Sequence, residues 1–217
     1  MQSMKQIKKF VFVNLSINSG YNSGINHGIA YLVPVIRKHG YEVTVLNIRK
    51  NIKTEYFISK IKELSPDIVA FSATSNQIKY LIKYSTALKD SSSIFQIAGG
   101  TGCTLEPENI LFKSGVEGVC LGEGEIPLKD LLDRIAEKNN IYDTEGFYWR
   151  INGRIKKNSI PQFLKDLSDL DLPDYSVFNN SIIGTGGKAL IMISRGCPCN
   201  CHYCCNRALS SIYPFDK

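Results

Sequence analysis

The chain has 217 residues, of which 43% are hydrophobic, 10% aromatic and 21% charged. That composition excludes a disordered or collagen-like chain, and it can fill an ordinary core without disulfide staples. The net charge of +6 comes from Lys and Arg mixed with Asp and Glu, with no basic block, so the charge alone gives no argument for a nucleic-acid partner.

The first apolar run, residues 10–13, is too short for a signal peptide or a membrane span. It reads as a buried strand, and a cytoplasmic protein with no membrane partner is expected. A Gly/Asn/Ser-rich loop, residues 18–28, leads to Ile29, Leu32, Val33 and Ile36 at helical spacing, stopped by His39-Gly40. Strands are then expected at 42–47, 67–72, 94–98 and 118–121, and helices at 56–64, 76–88, 106–113 and 125–136. Five β–α units with short connections predict an α/β fold with a five-stranded parallel sheet of flavodoxin or Rossmann type, helices lying on both faces. Ligands of such sheets bind at the carboxyl ends of the strands.

The pattern then changes. Residues 146–157 read as a hairpin around the Asn152-Gly153 turn. Residues 161–180 alternate Leu and Asp around two prolines without a clean period, as expected of a linker or of a segment laid along a neighbouring domain. Residues 188–193 read as a new buried strand. The expected organisation is a ligand-binding domain at 1–140, a hairpin and linker at 141–187, and the start of a further domain at 188–217.

Seven cysteines are present. Cys103 and Cys120 stand alone among apolar neighbours, whereas five crowd into residues 197–205. Crowding of this kind indicates a metal site in a reducing compartment rather than a disulfide framework. Cys197, Cys201 and Cys204 have the spacing C-x3-C-x2-C, which suits a four-iron cluster with one iron left open. Cys199 and Cys205 provide alternative spacings, so a structural zinc held by four of the five thiols, or a set of unmetallated thiols, are competing readings.

The spacing, preceded by Ser194-Arg195-Gly196 and followed by Pro198, resembles the signature of the radical S-adenosylmethionine enzymes. The resemblance implies a [4Fe-4S] cluster on Cys197, Cys201 and Cys204. It also implies S-adenosylmethionine on the open iron, with Tyr203 beside its adenine. Upstream, five stretches in order resemble the cobalamin-binding domain that precedes the radical barrel in one group of these enzymes. They are Gly28-Ile29-Ala30-Tyr31-Leu32, His39-Gly40-Tyr41-Glu42-Val43, Pro66-Asp67-Ile68-Val69-Ala70-Phe71-Ser72, Ala98-Gly99-Gly100 and Leu121-Gly122-Glu123-Gly124-Glu125. Asp171-Leu172-Pro173-Asp174-Tyr175 loosely matches the family's linker.

The resemblance implies cobalamin as a cofactor. Gly99, Gly100, Gly122 and Gly124 would let backbone approach its ring or tail. Ser72, Thr74 and Thr101 would donate to its amide or phosphate oxygens. Glu123 and Glu125 are either part of this slot or charges favouring a helix start. The Asp-x-His-x-x-Gly motif that supplies a cobalt ligand elsewhere is absent, and His27 reads as a loop histidine. The run 99–102 follows the fourth strand, not the first, so it is no dinucleotide fingerprint. A generic flavodoxin-like domain for another nucleotide-like ligand is the alternative.

The function expected is cobalamin, cluster and S-adenosylmethionine binding within a methyltransferase or a related radical enzyme acting on carbon. Only the first strand and loop of a barrel are expected here, which predicts a fragment unable to turn over alone. The alternative is a stand-alone module binding cobalamin or a nucleotide-like ligand, with a cysteine-rich tail.

Overall fold

The structure is a computed structural model, and it describes residues 8–17, 25–162, 164, 166–178, 192, 194–199 and 201–213. Strands are β1 (Lys8–Leu15), β2 (Tyr41–Ile48), β3 (Ile68–Ser72), β4 (Phe95–Gly99), β5 (Gly118–Cys120), β6 (Phe147–Ile151) and β7 (Arg154–Lys157). Helices are α1 (His27–Lys38), α2 (Thr54–Leu64), α3 (Ile78–Ser91), α4 (Thr101–Leu105), α5 (Pro107–Lys113), α6 (Glu125–Glu137) and α7 (Cys205–Ser210). All strands join one sheet in the order β2-β1-β3-β4-β5-β6-β7. The first five are parallel, whereas β6 and β7 are antiparallel.

β1 is apolar throughout because it is covered on both faces. Phe10 and Phe12 enter a core with Ile29, Val33 and Ile36 of α1 and Leu128, Leu131 and Leu132 of α6. Val11, Val13 and Leu15 enter the opposite core with Phe57 and Ile61 of α2, Leu81, Tyr84 and Leu88 of α3, and Ile110 and Leu111 of α5. Each fully buried side chain of this kind contributes about 1.5–3 kcal/mol.

The sheet has seven strands where five were expected. The hairpin extends the sheet, since β6 pairs with β5 and sets Trp149 against Gly118. Its turn uses Asn152 at φ 48 and Gly153 at φ 78, the left-handed pair that Asn-Gly supplies. The helix expected at 106–113 starts at Pro107, and a separate short helix, α4, precedes it. The helix expected at 76–88 opens as a 3-10 turn, Ser75–Gln77, and continues as α3 to Ser91. The strand expected at 188–193 lies outside the described residues, except Met192, which is not in a strand.

Residues 171–178 lie along α1. Pro34 inside α1 has no N–H for the Ala30 carbonyl, and the Asp174 N–H donates to that carbonyl instead, at 2.8 Å. Arg37 pairs with Asp174, and Lys38 with Asp171 at 2.7 Å. Phe178 is buried in the core beneath α1 and α6. No helix among the described residues is long and apolar enough to cross a membrane.

The tightest joint between the hairpin and the parallel strands is Gly118, where an added Cβ would stand 2.3 Å from Trp149 Cζ3. Gly118→Ala is expected to destabilise the chain by about 1–3 kcal/mol through overpacking. A shift of the urea midpoint with an unchanged slope would show it, and Trp149→Phe in the same chain should restore part of the loss.

Candidate functional site

A cavity of about 280 Å³ opens at the carboxyl ends of β1, β3, β4 and β5, on the face covered by α1 and α6. Strand order reverses between β1 and β3, so connections leave in opposite directions and a crevice is left there. The walls are apolar, with Phe10, Phe12, Ile97, Leu128 and Phe147 prominent. The rim carries Asn26, Ser72, Glu123, Glu125 and Arg195.

A polar row crosses the strand ends. Asn26 caps α1 by accepting from the Ile29 N–H at 3.1 Å. Its Nδ2 donates to Asn14 Oδ1 at 3.1 Å and to Ser72 Oγ at 3.0 Å. Asn14 Nδ2 in turn donates to Asn47 Oδ1 at 2.7 Å. Three adjacent strands and the start of α1 are thereby tied together.

Glycine is required where the backbone passes β4. Gly100 has φ +99, and a Cβ there would lie 3.0 Å from the Ala73 carbonyl oxygen. At Gly102, a Cβ would come within 2.5 Å of the Thr74 carbonyl carbon. The Ala73 N–H donates to the Gly99 carbonyl at 3.2 Å, and the Gly102 N–H to the Ala73 carbonyl at 3.1 Å. These bonds lock the ends of β3 and β4 side by side.

The loop after β5 completes the rim. Gly122 has φ +69, and its N–H donates to Thr104 Oγ1 at 3.0 Å. The Glu123 N–H donates to the Tyr213 hydroxyl at 2.7 Å. Arg195 donates to Glu123 at 3.1 Å and to Glu125 at 2.6 Å. Its guanidinium also stands 4.6 Å from the centre of the Tyr31 ring. Glu125 is only 6% exposed, a burial tolerable because the guanidinium compensates its charge. Burial pushes the Cys120 thiol on the cavity wall up to about 12, so it stays protonated at neutral pH.

The expected cobalamin contacts divide. Ser72, Gly99, Gly100, Gly122, Glu123, Gly124 and Glu125 line the cavity together. Thr74 and Thr101 are exposed and stand outside its lining. Thr74 caps the 3-10 turn through Gln77, and Thr101 opens α4. His27 is bonded to the Tyr175 hydroxyl at 2.9 Å and does not line the cavity. Sequence reasoning missed Asn26, Cys120, Arg195 and Tyr213. Asn26 could have been found as an N-cap ahead of the periodic run.

In the cysteine segment Cys197, Cys199 and Cys205 are exposed, and Cys201 and Cys204 are half-buried. All are free thiols. Tyr203 is 93% exposed. The Cys204 N–H donates to the Cys201 carbonyl at 3.1 Å, a turn that leads into α7. Among the described residues no three His, Cys, Asp or Glu side chains are grouped so as to hold a metal ion.

Residues 15–132 match the family model described as the B12 binding domain. An uncharacterized methyltransferase of Pyrococcus horikoshii is 26% identical over 194 residues, covering 87% of this chain and 41% of the relative. The anaerobic magnesium-protoporphyrin IX monomethyl ester cyclase of Cereibacter sphaeroides is 26% identical over 213 residues, covering 90% of this chain and 34% of the relative. The chain therefore spans less than half the length of these relatives. The fold is similar to that of the radical S-adenosylmethionine methyltransferase TsrM from Kitasatospora setae, solved with cobalamin and a [4Fe-4S] cluster bound. The TM-score is 0.60 at 16% identity, covering 76% of this chain and 31% of that one. With the family model spanning more than half of its residues and most of the residues around the apolar slot inside that span, this chain belongs to the B12-binding domain family.

Proposed function

We propose that the slot between the strand ends and α1/α6 binds cobalamin, as part of a radical S-adenosylmethionine enzyme that transfers a methyl group to carbon or carries out a related radical reaction. The observation that carries this is the apolar, glycine-rimmed cavity of about 280 Å³ at the strand ends, lined mostly by residues of the family segment. A cavity of this size and polarity suits the flat base of a nucleotide tail, with Asn26 and Ser72 as polar partners at its edge. Gly99, Gly100, Gly122 and Gly124 present backbone without side chains to the rest of the cofactor. Glu123 and Glu125 line the slot with their carboxylates on Arg195. Thr74 and Thr101 are assigned to cofactor oxygens at the outer rim.

Cys197, Cys201 and Cys204 are proposed as the thiolates of a [4Fe-4S] cluster, and Tyr203 as the ring beside the adenine of S-adenosylmethionine. The assignment rests on their spacing and flanks and on the cofactors seen in the TsrM structure. These groups would supply a radical source and a methyl carrier, whose chemistry is their own. The chain's part is to hold the carrier and to exclude water from its buried end.

Purified chain mixed with hydroxocobalamin is expected to shift the visible spectrum of the cofactor and retain it through gel filtration. Gly124→Leu, which builds a side chain toward Leu32 across the slot, should weaken binding at least about tenfold with unchanged circular dichroism. Free cofactor eluting alone from the wild-type chain would overturn the reading.

Anaerobic reconstitution with iron and sulfide should give the broad visible absorption of a bridged cluster. Alanine at Cys197, Cys201 or Cys204 should abolish it, and alanine at Cys199 or Cys205 should not. Equal loss in all five variants would remove the ligand assignment. Zinc without sulfide in the purified chain would favour a structural zinc site instead.

A further inference from the structure

The cysteine segment is gripped at both ends by one short loop of the sheet domain. Arg195 stands just before Cys197, and Tyr213 stands beyond the end of α7. Both attach to residues 122–125. Arg195 bridges Glu123 and Glu125 at 3.1 and 2.6 Å, with Tyr31 beneath its guanidinium. Tyr213 takes the Glu123 N–H at 2.7 Å. Its hydroxyl comes so close that a Cβ at Gly122 would stand 2.2 Å from it.

Ordinary surface packing does not require this arrangement. The Arg195 side chain is 12% exposed and that of Glu125 6%. Charges withdrawn from water to this degree are tolerated only while every partner is in place. The guanidinium has two carboxylates and an aromatic face, so docking of the segment is close to all-or-none. The missing Cβ of Gly122 is the space into which Tyr213 fits. Arg195 and Met192 also line the slot, so the docked segment forms part of its wall.

We propose that residues 122–125 are a docking cleat for the cysteine segment, with Arg195 and Tyr213 as positioning residues. Gripped before and after its thiols, the segment is held across the mouth of the slot, and slot and thiols keep a fixed mutual placement. The inference rests on the cobalamin reading for the identity of the enclosed ligand. A ligand seated in the slot is then shut in by the segment, and its escape requires Arg195 to leave its carboxylates.

Hydrogen–deuterium exchange on the full chain tests the grip. In Arg195→Glu, exchange over residues 196–213 should rise at least about tenfold while β1, β3 and β4 stay protected. The reversed pair Arg195→Glu with Glu125→Arg should recover most of the protection. Unchanged exchange in Arg195→Glu, or no recovery in the reversed pair, overturns the proposal. Should Arg195→Glu fail to fold, Arg195→Met and Tyr213→Phe provide the same comparison with milder changes.

Hydroxocobalamin supplies the second measurement. Arg195→Met should release the bound cofactor about tenfold faster than the wild type into a scavenging excess of another cobalamin binder. No spectral shift with the wild type sinks the proposed function, and the exchange data still decide the grip. A wild-type shift with unaltered exchange and release in Arg195→Met sinks the grip alone.

Discussion

β1 lies between β2 and β3 with both faces covered, and the site depends on that placement. Its side chains alternate between two cores, Phe10 and Phe12 on one side and Val11, Val13 and Leu15 on the other. Because parallel crossovers are right-handed, the connection to β2 runs over one face and the connection to β3 over the other. Helix α1 is thus drawn to one side and α2 to the opposite side, and the carboxyl end of β1 is left uncovered between them. The slot is a consequence of this reversal, and its apolar floor is the exposed end of the core that packs beneath α1 and α6.

Backbone geometry then shapes the rim. The chain leaving β3 and the chain leaving β4 exchange two backbone hydrogen bonds within a space that admits no Cβ at Gly100 or Gly102. With side chains excluded, the strand ends stay close and the mouth of the slot stays open. Thr104 bonds both the Gly100 carbonyl and the Gly122 N–H, so the rims contributed by β4 and β5 are tied through one hydroxyl.

Two departures from ordinary local structure are answered by distant segments. Pro34 leaves the Ala30 carbonyl without its helical donor, and residues 171–178 supply one while burying Phe178. Glu125 enters α6 with its charge away from water, and Arg195 compensates it. A polar group stranded in an interior costs about 1–3 kcal/mol, so each of these contacts holds a later part of the chain in place. Residues 171–178 and the cysteine segment are therefore bound to the sheet through local needs of α1 and α6.

Much of the fold could be read from local pattern. The apolar run of β1, the periodic helices, the Asn152-Gly153 turn and the succession of β–α units along the chain all follow from residue spacing, which is a property of near neighbours. So do the glycines and Ser72 of the rim, through their resemblance to the cobalamin-binding domain. The pairing of β6 with β5 was not legible, because an antiparallel hairpin carries no mark of the strand it will join. That Thr74 and Thr101 stand exposed beside the cavity lining rather than in it was not legible either, because it depends on the turn after β3 and the start of α4. By itself the sequence determined the α/β class, the family segment and the spacing of the thiols, since these depend on composition and short-range order. Only the tertiary structure decided that Arg195 and Tyr213 meet residues 122–125, because charge pairing and close backbone approach across some seventy to ninety residues arise from packing, not from spacing.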